Sequence, residues 1–439
     1  MASDSSAARC QLEPRCRAGR VGRIGCFFLL AAVVQTGSAA ADDSNWWLRF
    51  GPPNESSNLS SQRSYDRAFI REWEANPPRG YPTLSPSNID ATRQAIQRYE
   101  KIVADGGWEP LANAELRAGM SGRNVGALAR RLRISGHMRG ERDDQDHFGY
   151  ELEKAVKRFQ ATNGLTPTGV VDKRTIAALN VPAAARLKQL KRGLERLREY
   201  AGVLGKKRYV VVNIPAAQVE AVEADHVVSR HTGVVGKRDR QTPLLRSSIH
   251  ELNFNPVWRL PPTVIQKDLI PKGRSMEKAG KSVLVKYGID AYDGRGRKLD
   301  PAKVKWNSSM PNQLSYSQQP GKENPLGFLK INFHNAHSVY MHDTPSDGLF
   351  GRNFRAASSG CIRVQNIEKL ASWLLQDDGV SNAQIDSLKT SGERMDVRVK
   401  KPVPLYFVYV TAWATQDGAI QFRRDLYQRD GIGDTASAY

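Results

Sequence analysis

Cysteine is scarce in this 439-residue sequence, and long hydrophobic runs are missing. The apolar stretch Cys26–Val34 has nine residues, well short of the ~20 that a membrane-spanning helix needs, so a polytopic membrane protein is excluded. Acidic residues are in deficit, because 45 Asp and Glu stand against 65 Lys and Arg, a net charge of +20. This surplus favours an acidic partner such as nucleic acid, anionic lipid or a carboxylate-rich polymer.

The first 41 residues have the composition of an export signal. Basic residues precede the apolar run, and small residues with an A-x-A pattern follow it and end at Ala41. The basic residues are Arg15, Arg17, Arg20 and Arg23. This order predicts a cleavable secretory signal and hence a periplasmic protein. The alternative is an uncleaved signal that tethers the chain to the inner membrane.

Export limits what the remaining cysteine can do. Cys10, Cys16 and Cys26 lie in the predicted signal, so Cys361 has no partner for an intramolecular disulfide. An unpaired thiol in an oxidising compartment is a liability unless it is buried or used. Cys361 is therefore either a nucleophile or a small buried core residue. Without the five Arg and two acids of the signal the charge stays at about +17, which outside the cytoplasm favours a carboxylate-bearing wall polymer or a membrane surface over nucleic acid.

The first half of the chain has the periodicity of amphipathic helices. It predicts a helix that Ser87 or Asn88 caps, three helices within 115–180, the third of which begins at Asp172, and a leucine-striped helix that begins at Pro182. Within this half, Ala155–Asn180 carries FQ, GL, TG, D, T and LN in order and resembles the three-helix peptidoglycan-binding module. The alternative is a generic helical bundle.

From Arg208 the pattern changes to short strands separated by Gly, Pro and Asn, which predicts a mostly-β domain, either a curved sheet or a sandwich. Tyr406–Trp413 and Ile420–Phe422, around Asp417-Gly418, predict a hairpin. Residues 267–320 are too long for an ordinary connection. They form either a disordered insertion or, as their aromatic residues favour, a lid over the site.

The stretch 338–366 carries the chemistry. A strand-like segment delivers His342 at its end, and nineteen residues later Ser358-Ser359-Gly360 leads into Cys361. A thiol with its ordinary pKa of about 8.5 is mostly protonated at neutral pH, and an adjacent imidazole can accept its proton. Gly360 leaves room for a substrate carbonyl, and the backbone N–H groups of Gly360 and Cys361 are candidates for an oxyanion hole.

This stretch resembles the catalytic motif of the L,D-transpeptidases: a His, some fifteen to eighteen residues, then Ser or Thr, His, Gly and Cys, commonly followed by an aliphatic residue and Arg. The residues that occupy these positions are His342, Ser358, Gly360, Cys361, Ile362 and Arg363. Ser359 departs from the motif, because it stands where the second His is common. The segments that resemble the larger periplasmic branch of the family are GKRDRQTP at 236–243, NPVWRLPP at 255–262, NPLG at 324–327, YMHDTP at 340–345 and the C-terminal stretch 413–427.

The resemblance implies an α+β multidomain protein. Its mostly-β L,D-transpeptidase catalytic domain carries an inserted lid and is joined to a three-helix peptidoglycan-binding module and a helical scaffold. The predicted segments are the signal peptide (1–41), the N-terminal tail and helical scaffold (42–114), the peptidoglycan-binding module (115–181), the linker helix (182–207), the catalytic domain (208–430, with the capping insertion 267–320) and a tail (431–439).

The resemblance also implies acyl transfer on peptidoglycan stem peptides. Cys361 would attack the carbonyl of the third residue of a tetrapeptide stem, release D-alanine and form a thioester, which another stem would convert to a 3–3 cross-link. His342 would act as base and then as proton donor, and Ser358 would orient the imidazole through its carbonyl or hydroxyl. Arg363 would hold the nucleophile loop or, alternatively, bind a substrate carboxylate. Carbapenems would acylate the thiol, and neither a metal nor a cofactor is implied.

Other residues near the motif have weaker support. Trp258 and Tyr340 are candidates to line the substrate cleft, although aromatic residues in a β domain are more often core. His334 and His337 lack nearby Cys or acidic partners, so we expect surface or core roles. Two rival functions remain: a hydrolase that passes the acyl group to water, and a non-catalytic protein that binds the wall through its module.

Overall fold

The computed structural model describes residues 80–138, 146–201 and 208–433; the predicted export signal and most of the tail lie outside these ranges. The helices are α1 (Ser87–Ala104), α2 (Arg123–Ile134), α3 (Tyr150–Thr162), α4 (Lys173–Leu179), α5 (Ala183–Ala201), α6 (Pro262–Val264), α7 (Ile270–Lys278), α8 (Val283–Tyr287), α9 (Ile367–Leu374) and α10 (Asn382–Ser391). Across the described ranges, none of them is both long and apolar enough to span a bilayer.

The β-strands all follow the helical half, as the sequence predicts. They are β1 (Arg208–Asn213), β2 (Gln218–Glu223), β3 (His226–Gly236), β4 (Leu245–Phe254), β5 (Trp258–Arg259), β6 (Ile289–Tyr292), β7 (Ser315–Gln318), β8 (Leu329–Phe333), β9 (Met341–His342), β10 (Ala356–Ser358), β11 (Ile362–Val364), β12 (Met395–Val408), β13 (Ala412–Ala414) and β14 (Ile420–Phe422).

Helices α1 and α5 form the scaffold and pack with the β13–β14 hairpin around Tyr99, Leu190 and Phe422. Helix α1 begins at Ser87, close to the predicted start. Its predicted side-chain cap is wrong: Asn88 donates instead to the carbonyls of Pro82 and Thr83, at 2.8 and 3.0 Å. The preceding segment thus fixes the helix start where a capping side chain was expected.

Helices α2, α3 and α4 form the predicted three-helix module around one apolar core. Asp172 caps α4 by accepting the Thr175 N–H at 2.8 Å, a favoured arrangement at helix starts. The module is fastened to the β domain, because the N–H and hydroxyl of Thr166 both donate to Asn353 Oδ1, at 3.0 and 2.9 Å. Arg423 adds a bond to the carbonyl of Thr162 at 2.9 Å.

The main sheet has the order β10-β3-β11-β9-β8-β4-β12-β1-β2, and β2 also pairs with β3. This second pairing closes the sheet on itself, so the domain has the curved sheet of the two expected forms, closed into a ring of strands. Strand β3 makes closure possible because its first half pairs with β2 and its last residues pair with β11 and β10. Apolar residues from nearly every strand fill the interior.

The predicted C-terminal hairpin is correct in its turn but wrong in its first arm. The hairpin arms are β13 and β14, in which Trp413 pairs with Gln421. Tyr406 instead belongs to β12, which lies between β1 and β4 in the main sheet. The longer apolar run 405–408 gains more by pairing on both edges in the buried sheet than it could in an isolated hairpin.

Residues 258–326 form a cap with a core of its own, which excludes the disordered alternative. Strands β5, β7 and β6 make a small sheet that packs on α7 and α8. The cap is wider than the predicted 267–320, because Trp258 and Leu326 are buried in the same core. Its first helical stretch contains a π-helical segment, Ile265–Leu269.

Candidate active site

The register of two short strands builds the site. Strands β9 and β11 are parallel neighbours, with Met341 opposite Ile362 and His342 opposite Arg363. Met341 and Ile362 are fully buried in the sheet interior. Because side chains alternate along a strand, the flanking residues point to the other face.

That other face carries the reactive groups. Tyr340 and His342 lie along one strand line, and Cys361 and Arg363 lie along the next, so His342 and Cys361 occupy diagonal positions. Lys330 of β8 lies opposite His342 on the remaining side. The floor of an open cleft of about 980 Å³ is formed by Tyr340, His342, Cys361 and Arg363.

The cap and the nucleophile loop, residues 358–360, form the walls of this cleft. From the cap come Trp258, residues 261–264 and Asp268; from the loop before β9 come residues 336–339, including His337. His337 is exposed and shares the cleft, a placement that its isolated position in the sequence did not predict. His334 is exposed and stacks on His250 with ring centroids 4.1 Å apart.

Cys361 is half-buried and faces the cleft, so it is not sealed in the core. Burial raises the pKa of its thiol to about 11, while the backbone N–H and hydroxyl of Tyr340 and the cations Lys330 and Arg363 act in the opposite direction. The thiol is therefore protonated at neutral pH and needs a base when it attacks.

His342 is buried and neutral. Burial, followed by the positive charge of Arg363, lowers the pKa of its imidazole to about 3. Its Nδ1 lies 2.5 Å from the carbonyl oxygen of Asp343. A carbonyl only accepts, so Nδ1 carries the proton and Nε2 is the basic nitrogen.

The predicted role of Ser358 as the group that orients the imidazole is wrong. The Asp343 carbonyl makes that contact. The Ser358 hydroxyl donates to the Cys361 carbonyl at 2.6 Å, and the Ser358 carbonyl accepts the Lys237 N–H at 3.0 Å. Ser358 therefore shapes the nucleophile loop instead of the base.

The same contacts correct the predicted oxyanion hole. The Gly360 N–H donates to Ser358 Oγ at 3.1 Å, so it is already used and the prediction for it is wrong. Gly360 instead serves the turn, because its φ of +117° lies in a region that favours glycine. Of the two predicted donors, the Cys361 N–H remains.

In this structure the thiol and the imidazole share the cleft without a hydrogen bond between them. No hydrogen bond among residues 80–138, 146–201 and 208–433 joins Cys361 to His342. Both groups are neutral, so no ion pair holds them together. Proton transfer must await the closer approach that a bound substrate brings, as is common for catalytic hydrogen bonds in free enzymes.

The surroundings of Arg363 favour the second of its two predicted roles, which is to bind a substrate carboxylate. Its side chain is 4% exposed and lines the cleft. Its Nη1 donates to Thr344 Oγ1 at 3.4 Å, and its buried Nε has no hydrogen-bond partner within the described ranges. Within the described ranges, no hydrogen bond joins the Arg363 side chain to residues 358–360. The guanidinium stays charged although burial lowers its pKa to about 10. A buried cation open to a cleft is suited to a substrate carboxylate.

Tyr340 and Trp258 are both core and cleft residues. Trp258 Nε1 donates to Tyr340 Oη at 3.1 Å, and the Tyr340 ring meets the His342 ring edge-on with centroids 5.6 Å apart. Trp258 is 6% exposed within the cap core. The pair thus joins the cap to the floor of the cleft beside the thiol.

The raised thiol pKa makes the free protein a slow target for alkylation. At pH 7 a thiol with a pKa of about 11 is thiolate in roughly one molecule in 10⁴, against a few per cent for an ordinary cysteine. We expect iodoacetamide to label Cys361 on the order of 100-fold more slowly than N-acetylcysteine, at a rate that still rises above pH 9. A rate that levels off by pH 7, measured by mass, would show a resting thiolate instead.

Comparison with known proteins agrees with this geometry. Residues 207–399 match the family described as the L,D-transpeptidase catalytic domain. This part of the chain is thus similar to the L,D-transpeptidase catalytic domain. Residues 121–179, ahead of it, match the family described as a peptidoglycan binding domain.

Similar proteins are found both among curated sequences and among solved structures. A curated Haemophilus influenzae protein described as an L,D-transpeptidase is 32% identical over 222 residues, which cover 50% of this chain and 44% of that protein. The match thus spans less than half of that relative's length. Among solved structures, an L,D-transpeptidase from Xylanimonas cellulosilytica is 16% identical over 68% of this chain and 100% of its own, with a TM-score of 0.22. An L,D-transpeptidase in complex with imipenem is 15% identical over 46% of this chain and 60% of its own, with a TM-score of 0.24.

Proposed function

We propose that this protein is a cysteine acyltransferase that forms 3–3 cross-links between peptidoglycan stem peptides. The observation that carries the proposal is the floor of the cleft, where Cys361, His342 and Arg363 share one face of an L,D-transpeptidase catalytic domain. The peptidoglycan-binding module, fastened to that domain, would hold the polymer nearby.

In the first half-reaction the thiol of Cys361 gives its proton to Nε2 of His342 as sulfur attacks the carbonyl of the third stem residue. The oxyanion that forms accepts hydrogen bonds from the Cys361 N–H and from the Tyr340 hydroxyl. This hydroxyl already interacts with the sulfur. The C–N bond to D-alanine then breaks, and the imidazolium returns its proton to the leaving amine. A thioester between Cys361 and the stem remains.

In the second half-reaction the side-chain amine of another stem attacks the thioester carbonyl. His342 now removes a proton from the amine and delivers it to the departing sulfur. The hydrogen bond from Nδ1 to the Asp343 carbonyl holds the ring in one tautomer through both steps.

Arg363 would bind the terminal carboxylate of the donor, one residue beyond the bond that breaks. We expect Arg363→Gln to raise KM for a tetrapeptide donor at least tenfold, because a charge-assisted hydrogen bond at a buried site is lost. A donor amidated at its C-terminus should be equally poor for both proteins. If the variant kept the preference for the free acid, Arg363 would not be the carboxylate site.

The proposed location is the periplasm, from the export signal read in residues 1–41. Carbapenems are the proposed inhibitors: Cys361 Sγ would attack the lactam carbonyl, the lactam C–N bond would break and the ring nitrogen would take the thiol proton. One solved L,D-transpeptidase is described in complex with a carbapenem, imipenem.

Purified disaccharide-tetrapeptide and the full chain test the function. The proposal predicts free D-alanine and dimers joined 3–3, resolved by mass. Tripeptides without dimers would instead identify a hydrolase, and unchanged tetrapeptide would leave a protein that only binds the wall.

A further inference from the structure

The loop 237–243 contacts all three residues of the nucleophile loop. The Lys237 N–H donates to the Ser358 carbonyl at 3.0 Å, and Thr242 Oγ1 donates to the Gly360 carbonyl at 2.9 Å. The third contact is a side chain, Arg240 Nη1, which donates to Ser359 Oγ at 2.8 Å. Residue 359 is the position at which this sequence departs from the common motif.

The same guanidinium also holds the cap. Arg240 Nη1 and Nη2 bind the two carboxylate oxygens of Asp268 at 2.7 and 3.0 Å. The side chains are 10% and 2% exposed, so this is a buried, bidentate pair. The hydrogen bonds that Arg240 donates to Asp268 raise the pKa of the guanidinium, which therefore stays charged.

Backbone geometry on both sides brings these groups together. Asp268 lies in the π-helical segment Ile265–Leu269, and such segments are frequent at functional sites. On the other side, the loop folds back over Gly236, where a Cβ would lie 2.1 Å from the Arg240 carbonyl oxygen. Only glycine lets the loop present Arg240 in this way.

We propose that Arg240 is a positioning residue that couples the cap to the nucleophile loop. With Asp268 in place, Arg240 holds Ser359 and thereby fixes the approach of the loop to Cys361. When the cap lifts, Asp268 leaves, Arg240 turns away from Ser359 and the loop relaxes. Catalytic geometry is then complete only with the cap closed over a bound stem. The inference rests on the proposed function, because the geometry it secures is that of acylation.

Two carboxylates near the same guanidinium provide a matched pair of variants. Asp239 lies 3.8 Å from Arg240 Nε and is 67% exposed, outside the cleft. We expect Asp268→Asn to slow acylation of Cys361 by imipenem at least tenfold per folded protein, and Asp239→Asn to leave it within twofold. Ser359→Ala, at an exposed position, should slow the acylation of Cys361 about as much as Asp268→Asn does.

The double variant tests whether both residues act through Arg240. Asp268→Asn combined with Ser359→Ala should be acylated no more slowly than either single variant, because both changes act through Arg240.

Hydrogen exchange measured on the same proteins separates coupling from stability. Asp268→Asn should speed exchange both in the cap segment 262–278 and in residues 358–363, whereas a purely structural role would affect the cap alone. Equal acylation rates in Asp268→Asn, Ser359→Ala and the wild type would overturn the proposal. If the wild type were not acylated at all, the proposed function would fail, and the exchange of residues 358–363 would still decide the coupling.

Discussion

Replacing Cys361 with Ala should reduce D-alanine release from a tetrapeptide donor by about 10⁴-fold or more, because the covalent route is removed and water has no comparable nucleophile in the cleft. The change deletes one half-buried sulfur and leaves the sheet intact. The measurement is the rate of D-alanine release per mole of protein with purified disaccharide-tetrapeptide.

Wall binding provides the internal control for this variant. The peptidoglycan-binding module, residues 121–179, has its own apolar core, so Cys361→Ala should still sediment with peptidoglycan sacculi as the wild type does. Retained D-alanine release in the variant would contradict the proposed nucleophile.

The second large effect is expected for His342→Ala, which should lower acylation by 10²- to 10⁴-fold at pH 7. With the imidazole present, both reacting groups are neutral, so the wild-type rate should vary little between pH 6 and 9. Without it, only the thiolate reacts, and its fraction rises tenfold per pH unit below a pKa of about 11. The defect should therefore shrink as pH rises.

His334→Ala is the matched control, because that ring is exposed and stacks on His250. It should leave the rate and its pH profile unchanged. A His342→Ala defect of the same size at pH 7 and pH 9 would indicate that the imidazole supports the fold of the cleft without acting as the base.

Sequence patterns predicted the features that neighbouring residues determine, namely the helices and the chain positions of the reactive groups. Helical periodicity predicted α2 to α5. Asp172 was predicted at the start of α4, where Asp is one of the favoured capping residues. The position of His342 at a strand end and of Cys361 after a glycine could likewise be read from neighbouring residues.

The arrangement of these groups in the site depends on contacts between residues that are distant in the sequence. Nothing near His342 in the sequence shows that it pairs with Arg363, and this register places the reactive groups on one face. The base is held by the backbone carbonyl of Asp343, a group that every residue carries and that no sequence pattern can single out. Arg240 was likewise invisible as a positioning residue, because its two partners lie 28 and 119 residues away.

The proposed reaction requires that the third stem residue acylates the sulfur of Cys361. The direct measurement is mass spectrometry of the protein quenched in acid after mixing with a tetrapeptide donor and no acceptor, followed by peptide mapping. We expect one adduct, with the mass of the donor less D-alanine, on the peptide that contains Cys361, and we expect hydroxylamine to remove it. D-alanine release at full rate with that peptide unmodified throughout would contradict the proposed reaction.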